Sequence, residues 1–440
     1  MYRLNNIDEL TPLVIKKMIA QYVGCGFPRL DKLKDYYMNK TAILNRTQED
    51  ETKPNNKIVH PYAQYITDTL TGYFMGEPVT YSSNNEDIEP IQLVFEYNDE
   101  QDENMTLAKM ASIYGRAWEQ MYLDTDGAVR FCAVDPHEVI PVYGNTGDDL
   151  LAIVRFYKQY NVVNDSTYTY VEVYTPNEII YYKADEIVST LEPIGSQAHG
   201  FADVPFIEYK NNDDEYGDFE GVLSLIDAYD KLCSDDLNSF EYFCDAYLAL
   251  YGYTADAEDI AEMKKNRVLL MDTDSKAEFL LKQGDSTGIE AEKSRIERDI
   301  HKFAKCPDSS DENFGGNVSG VAMKYKLLGT ENVGSIKERK FKKGLQRRLE
   351  LLTHILSVTQ NVSIDWRAID ITFTRNLPIN EEDLSTMIKN LSGIVSKKTL
   401  VSQLPFVEDA ESEIDQLEKE TAATIYYTAG VNPTVSEDKE

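Results

Sequence analysis

The 440-residue sequence is poor in cysteine, tryptophan and positive charge, and it has no long hydrophobic run. Its five cysteines, Cys25, Cys132, Cys233, Cys244 and Cys306, are odd in number, widely spaced and never in a CxxC pair. That pattern argues against a disulfide framework or a zinc site, and for reduced thiols in a cytoplasmic product. The five histidines, at 60, 137, 199, 301 and 354, never fall at ligand spacing with one another. No apolar stretch approaches the roughly 18 residues a membrane helix needs. Met1 to Asp8 shows neither the basic nor the apolar part of a secretory signal. The expectation is a soluble protein made inside a cell, with no membrane partner. With 44 Lys and Arg against 76 Asp and Glu, the formal net charge is −32. Such a chain cannot coat DNA by counterion release. A nucleic-acid role must rest on a local basic patch or on a surface that does not stick.

Catalytic signatures are missing as well. There is no G-x-x-x-x-G-K-[ST] phosphate loop and no G-x-G-x-x-G after a strand. Gly316-Asn317-Val318-Ser319-Gly320 has the wrong spacing for a nucleophile elbow. Carboxylates are so numerous that an acidic hydrolase using a carboxylate pair stands as an alternative, but nothing picks out one pair. The sequence is therefore read as non-enzymatic, with no cofactor and no metal. Asp124-x-Asp126-Gly127 begins like a calcium loop but lacks the later ligands, and is read as a hairpin turn.

What is present suffices for a large folded body. Hydrophobic residues make up 42% and aromatics 11%, with 29 tyrosines, so the chain is not a disordered acidic solvator. Its length suggests roughly two to four structural units. The spacing predicts helices over 9–24, 29–38, 55–76 and 106–117, the third with Pro61 in its first turn. From 118 to about 209 the period changes to two, which predicts a twisted antiparallel β unit. The acidic loop 211–220 reads as a domain boundary. Residues 221–251 then carry an apolar stripe through Val222, Leu225, Ile226, Tyr229, Leu232, Leu237, Phe240, Phe243 and Tyr247. That predicts one helix of about 45 Å. Its other face is acidic, with Asp227, Asp230, Asp235, Asp236, Glu241 and Asp245. A short helix over 257–265, strands over 267–271 and 277–281 and a returning helix over 288–304 follow. After Cys306-Pro307 comes a polar loop with Phe314, Gly315 and Gly316. Ser319 is placed to cap a long helix running to about Gln360, then a strand over 362–373 and helices over 381–392, 398–403 and 410–423.

The long helix is locally basic. Lys324, Lys326, Lys337, Arg339, Lys340, Lys342, Lys343, Arg347 and Arg348 stand against Glu331 and Glu338. Two readings are open: a solvated or salt-bridged face, or a basic ring that meets phosphates.

Several stretches resemble one family. They are the Tyr36-Tyr37 element, Pro54-Asn55-Asn56-Lys57-Ile58-Val59 and Gly72-Tyr73-Phe74-Met75-Gly76-Glu77-Pro78-Val79. To these are added His199-Gly200-Phe201-Ala202-Asp203-Val204-Pro205-Phe206 and Phe314 through Ser319-Gly320-Val321-Ala322-Met323-Lys324. In this order, from about residue 20 to 420, they resemble the portal proteins of tailed bacteriophages, in the branch of long-tailed phages of Gram-positive hosts. The alternative within the virion is another minor head or adaptor protein, but those are generally shorter. The resemblance implies an α+β portal fold: a helical wing over 1–117, a β-rich wing part over 118–220, and stem helices over 221–251 and 288–306. It further implies a clip over 252–287, a tunnel loop over 307–318, a long helix and wing strand over 319–378, and a crown with acidic tail over 379–440. The clip and crown look short for the family. The implied function is a closed ring, usually of twelve copies, at one capsid vertex, through which double-stranded DNA is packaged and ejected. The implied partners are that DNA, the terminase large subunit, capsid and scaffold proteins, and a head-completion adaptor. Candidate channel residues are Asn313, Phe314, Asn317 and Ser319. Candidate basic-ring residues are Lys324, Lys326, Lys337, Lys340 and Lys343. Candidate subunit-interface residues are Leu225, Tyr229, Leu232 and Phe240.

Overall fold

The computed structural model describes residues 2–48, 53–145, 149–186, 189–244, 247–251, 276–280, 286–308, 325–375 and 381–401, with isolated positions elsewhere. Two compact units emerge. One joins Met1–Asp311 to Lys326–Asn376, and the other joins Glu312–Tyr325 to Leu377–Glu440. The mixed α+β class expected from the sequence is what the chain adopts.

The first unit opens with strand β1 (Tyr2–Leu4) and helices α1 (Pro12–Cys25) and α2 (Phe27–Tyr37). Ile15, Met18, Ile19 and Tyr22 recur at three and four along α1 and are all buried. The next helix, α3, spans only Tyr62–Met75, shorter than the 55–76 expected. Pro61 is the reason for its late start, because the residue before a proline is driven out of the helical region. Strand β2 (Thr80–Ser82) and helices α4 (Glu89–Tyr97) and α5 (Glu100–Tyr114) follow, of which α4 was not anticipated. Gly115 ends α5 at φ +88°, and a β-carbon there would lie 1.8 Å from the Glu215 carbonyl oxygen. Only glycine meets both conditions, so strand begins at Arg116 rather than after 117.

The β region forms two sheets. One orders β10 (Phe206–Lys210), β3 (Arg116–Leu123) and β4 (Val129–Val134) antiparallel. The other runs β1, β5 (Val139–Gly144), β6 (Leu150–Asn161), β7 (Ser166–Tyr174), β8 (Glu178–Ala184) and β9 (Glu192–Ala198). Only the β1–β5 pair in it is parallel. The Asp-Gly hairpin forms as expected. Asp124 Oδ1 accepts the amides of Asp126 and Ala128 at 3.0 and 2.8 Å, and Gly127 takes φ +80°.

Beyond the β region the long helix expected over 221–251 divides. Helix α6 covers Leu223–Cys244, and Tyr247–Tyr251 is strand β11, paired antiparallel with β12 (Lys276–Leu280). Tyr, Leu and Ala serve a strand as well as a helix, and a paired strand satisfies the backbone through its neighbour, which a stripe of single residues does not reveal. Helix α7 (Ser286–Ala304) returns, and α8 (Leu328–Gln360) crosses the β10 side of the first sheet. The strand expected over 362–373 shrinks to β13 (Asp370–Thr372), because its partner β2 offers only three residues. In the second unit α9 (Glu381–Leu391) and α10 (Lys397–Val401) match the expected helices. The expected elements at 257–265, 267–271 and 410–423 lie wholly or largely outside the described residues. Among those described, no helix is long and apolar enough to cross a membrane.

Candidate functional site

The residues singled out for function fall in sequence on α6, on α8 and in the segment between α7 and α8. Helix α6 lies against α7 and the N-terminal helices. Val222 and Ile226 are fully buried, and Leu225, Tyr229 and Leu232 are half-buried against the same core. One chain therefore covers much of the stripe by itself. Phe240, about one turn before the helix ends, is 67% exposed.

The acidic face of α6 is largely used within the chain. The non-helical segment before α3 lies along it, and its alternate amides find helix side chains. Asn56 N donates to Asn238 Oδ1 at 2.7 Å, Ile58 N to Ser234 Oγ at 2.9 Å and His60 N to Asp230 Oδ1 at 2.9 Å. Two residues of extended chain advance about 6.6 Å, and four residues of helix about 6 Å. Donors at every second position thus meet acceptors at every fourth. This is the physical content of the Asn55-Asn56-Lys57-Ile58-Val59 stretch. Asp230 is fully buried and also takes the Thr41 hydroxyl at 2.6 Å and the His60 ring at 2.9 Å. Tyr36 Oη donates to Asp227 at 2.6 Å, Arg46 pairs with Asp235 at 2.5 Å and Lys293 of α7 pairs with Asp236 at 2.6 Å. Burial, then the hydrogen bond and charge of Asp227, push the Tyr36 phenol far above its ordinary range.

Helix α8 sorts its cations by face. Gly334, Lys337, Phe341, Leu345, Arg348 and Leu352 follow a three-four spacing and are all buried. Lys337 Nζ lies 2.5 Å from Asp218 Oδ2 and 2.6 Å from Asn211 Oδ1, and Ser112 Oγ donates to that same Asp218 oxygen. The acidic loop 211–220, expected as a boundary, is therefore fastened to both α5 and α8. Arg348 is wholly enclosed. It pairs with Glu119 through Nη2 at 2.6 Å and Nε at 3.0 Å, and with Glu100 and Asn104 through Nη1 at 2.8 and 2.9 Å. Tyr209 Oη donates to Glu119 at 2.9 Å, and the guanidinium carbon stands 4.7 Å from the Phe131 ring centre. Burial disfavours the charge, but the Glu119 and Glu100 carboxylates outweigh it and keep Arg348 firmly protonated. Lys340 pairs with Asp213, and Arg347 with Asp203 and Glu350. Lys326, Arg339 and Lys343 are exposed.

The basic-ring candidates are thus not equivalent. Lys337 is interior, Lys340 is paired on the surface, and Lys326 and Lys343 face outward. Lys324 and the channel candidates Asn313, Phe314, Asn317 and Ser319 lie outside the described residues. Sequence reasoning missed the Arg348 cluster and the Asp218 anchor. A signal existed for the first, since Lys337 and Arg348 fall in register with Phe341, Leu345 and Leu352. Asp218 carried none, because the helix residues it anchors, Ser112 and Lys337, are more than 100 residues away in sequence.

A family described as "Phage portal protein, SPP1 Gp6-like" matches residues 26–426. The chain is 28% identical over 437 residues to the portal protein of Bacillus phage SPP1, covering 94% of this chain and 85% of that one. It is also 28% identical over 417 residues to the portal protein of Clostridium phage phiCD119, covering 86% and 89%. The chain belongs to the phage portal family. It has portal function and is a structural component of the virion, as the motif string expected.

Proposed function

We propose that copies of this chain close into a ring of about twelve at one capsid vertex, with a repeated head-to-tail interface. Double-stranded DNA passes through the ring without being held. The terminase large subunit docks first and the head-completion adaptor later, while capsid and scaffold proteins grow from the ring in the host cytoplasm. The family match over 26–426, together with the order helix, two-stranded insert, helix, long helix, carries this reading. The inserted strands β11 and β12 take the clip's place, the segment 307–318 is the tunnel loop, and the helices beyond 379 belong to the crown. A formal charge of −32 per chain suits a wall that repels phosphates, with cations such as Lys326 and Lys343 touching DNA transiently. The chain acts without catalysis. Glu100 and Glu119, the two glutamates brought together in the core, are both engaged in ion pairs with Arg348.

Negative-stain microscopy and sedimentation of the purified protein test the proposal. Closed rings are expected, and a monomer at every concentration would contradict it. Deleting residues 309–317 should leave rings intact and impair packaging or DNA retention, measured as packaged genome per particle. Normal packaging by the deletion phage would remove the loop assignment.

A further inference from the structure

The end of α7 brings together three side chains that the portal reading does not use. Glu297 and His301 sit one turn apart on one face of the helix, and Asp308 joins them from beyond its end. One ligand atom from each lies within 4.8 Å of the other two. All three residues are half-buried. Lys305 takes φ +54°, which turns the chain back so that Cys306 N reaches the His301 carbonyl at 3.1 Å. Tyr65 Oη then holds the Pro307 carbonyl at 2.8 Å, next to Asp308.

The imidazole is oriented from behind. Its Nδ1 lies 3.3 Å from the Cys306 carbonyl oxygen, and the Tyr62 and Tyr65 rings meet it edge-on at 6.0 and 5.5 Å. A histidine that donates Nδ1–H to a backbone carbonyl presents an unprotonated Nε2, which is how metal-binding imidazoles are usually held. Glu297 is steadied in turn by the Tyr62 hydroxyl at 3.4 Å.

We propose that Glu297, His301 and Asp308 bind one divalent transition-metal ion of the zinc class, with water completing its coordination. An imidazole with two carboxylates suits such an ion better than calcium or magnesium, which take oxygen ligands. The ion would clip the chain leaving α7 onto the helix it has just left. On the portal reading, that is the root of the tunnel-loop segment, so metal would fix one end of it. Metal binding itself does not depend on that reading.

Titration calorimetry of the full chain, stripped with chelator, with zinc and then with cobalt tests this, the cobalt complex also being followed by its visible d–d absorption. One ion per chain is expected. His301→Gln and Asp308→Asn should each weaken binding by at least about tenfold, while His354→Gln, on the exposed side of α8, should not. Unchanged thermal unfolding of the metal-free variants shows that the fold survives. Should His301→Gln unfold, Asp308→Asn, beyond the helix end, decides alone. No binding by the wild type, or equal binding by wild type and Asp308→Asn, overturns the site. Counting rings by microscopy with and without zinc tests the portal reading separately, because metal can bind a chain that forms no ring.

Discussion

Arg348 shows how one side chain can organise a core. It joins α8 to α5 through Glu100 and Asn104, and to β3 through Glu119. A buried ion pair adds little net stability over an apolar replacement, but removing one partner strands the other charge in a low-dielectric interior. Arg348→Ala should therefore destabilise by about 3–5 kcal/mol, read from urea unfolding followed by the fluorescence of buried Trp118. Arg348→Lys should recover little of this, because an ammonium cannot pair bidentately with Glu119. Combining Arg348→Met with Glu100→Gln and Glu119→Gln should cost less than Arg348→Ala alone, since no buried charge is then left. Gly344 makes a second residue-scale case. A β-carbon there would stand 2.5 Å from the Tyr209 ring, so Gly344→Ala should cost about 1–3 kcal/mol through overpacking, despite alanine's better helix propensity. The sequence alone does not reveal this close approach, because the ring that fills the space comes from β10.

At the scale of elements, the seam between α6 and the segment before α3 is the unit to test. Three side chains four residues apart receive three amides two residues apart, so the segment is held although it forms no sheet. Asp230 is its deepest anchor, with the His60 amide, the His60 ring and the Thr41 hydroxyl all directed to it. Asp230→Ala should orphan these donors at about 1–3 kcal/mol for a buried group. Hydrogen exchange should show the amides of Ile58 and His60 losing protection ahead of those in α3. Equal protection in wild type and variant would mean that the segment is held by something else. Helix periodicity in α6 was legible in the sequence and half of its meaning was not. The acids opposite the apolar stripe showed in the sequence only as an acidic face, but Asp227, Asp230 and Asp235 are bound to Tyr36, Thr41, His60 and Arg46. Alternation that crosses from one element to another leaves no periodic trace in either.

Over the whole molecule, Phe240 and Leu232 separate assembly from folding. Phe240→Ser changes a side chain that this chain leaves exposed, so the fold should persist while ring formation weakens, as read by sedimentation. Leu232→Asp places a charge against the core and should lower the unfolding midpoint as well. Acid should act on the whole first unit. Burial opposes ionisation of Glu215, but the charge of Arg116 and the hydrogen bond and charge of Lys210 outweigh it and hold its carboxyl below the ordinary value. Because the folded state holds this proton less tightly than the unfolded state, the contribution of Glu215 is fully present above about pH 4.5. It is lost as pH falls through the depressed folded value. Urea midpoints measured down from pH 6 should decline more steeply for the wild type than for Glu215→Gln, and parallel curves would contradict this.

Composition and local pattern were enough to establish the α+β class and most helices and hairpins, and the motif strings carried the resemblance to the portal family. These depend on residues near one another in sequence, through periodicity, caps, turns and motif strings. Tertiary structure decided where the charges go. The long helix carries cations on every side, and only the packing of α8 against β10 and α5 sends Lys337 and Arg348 inward to Asp218, Glu100 and Glu119 while Lys343 stays outside. Desolvation and pairing depend on neighbours brought from 100 to 250 residues away, and a charge's burial cannot be read until those neighbours are in place.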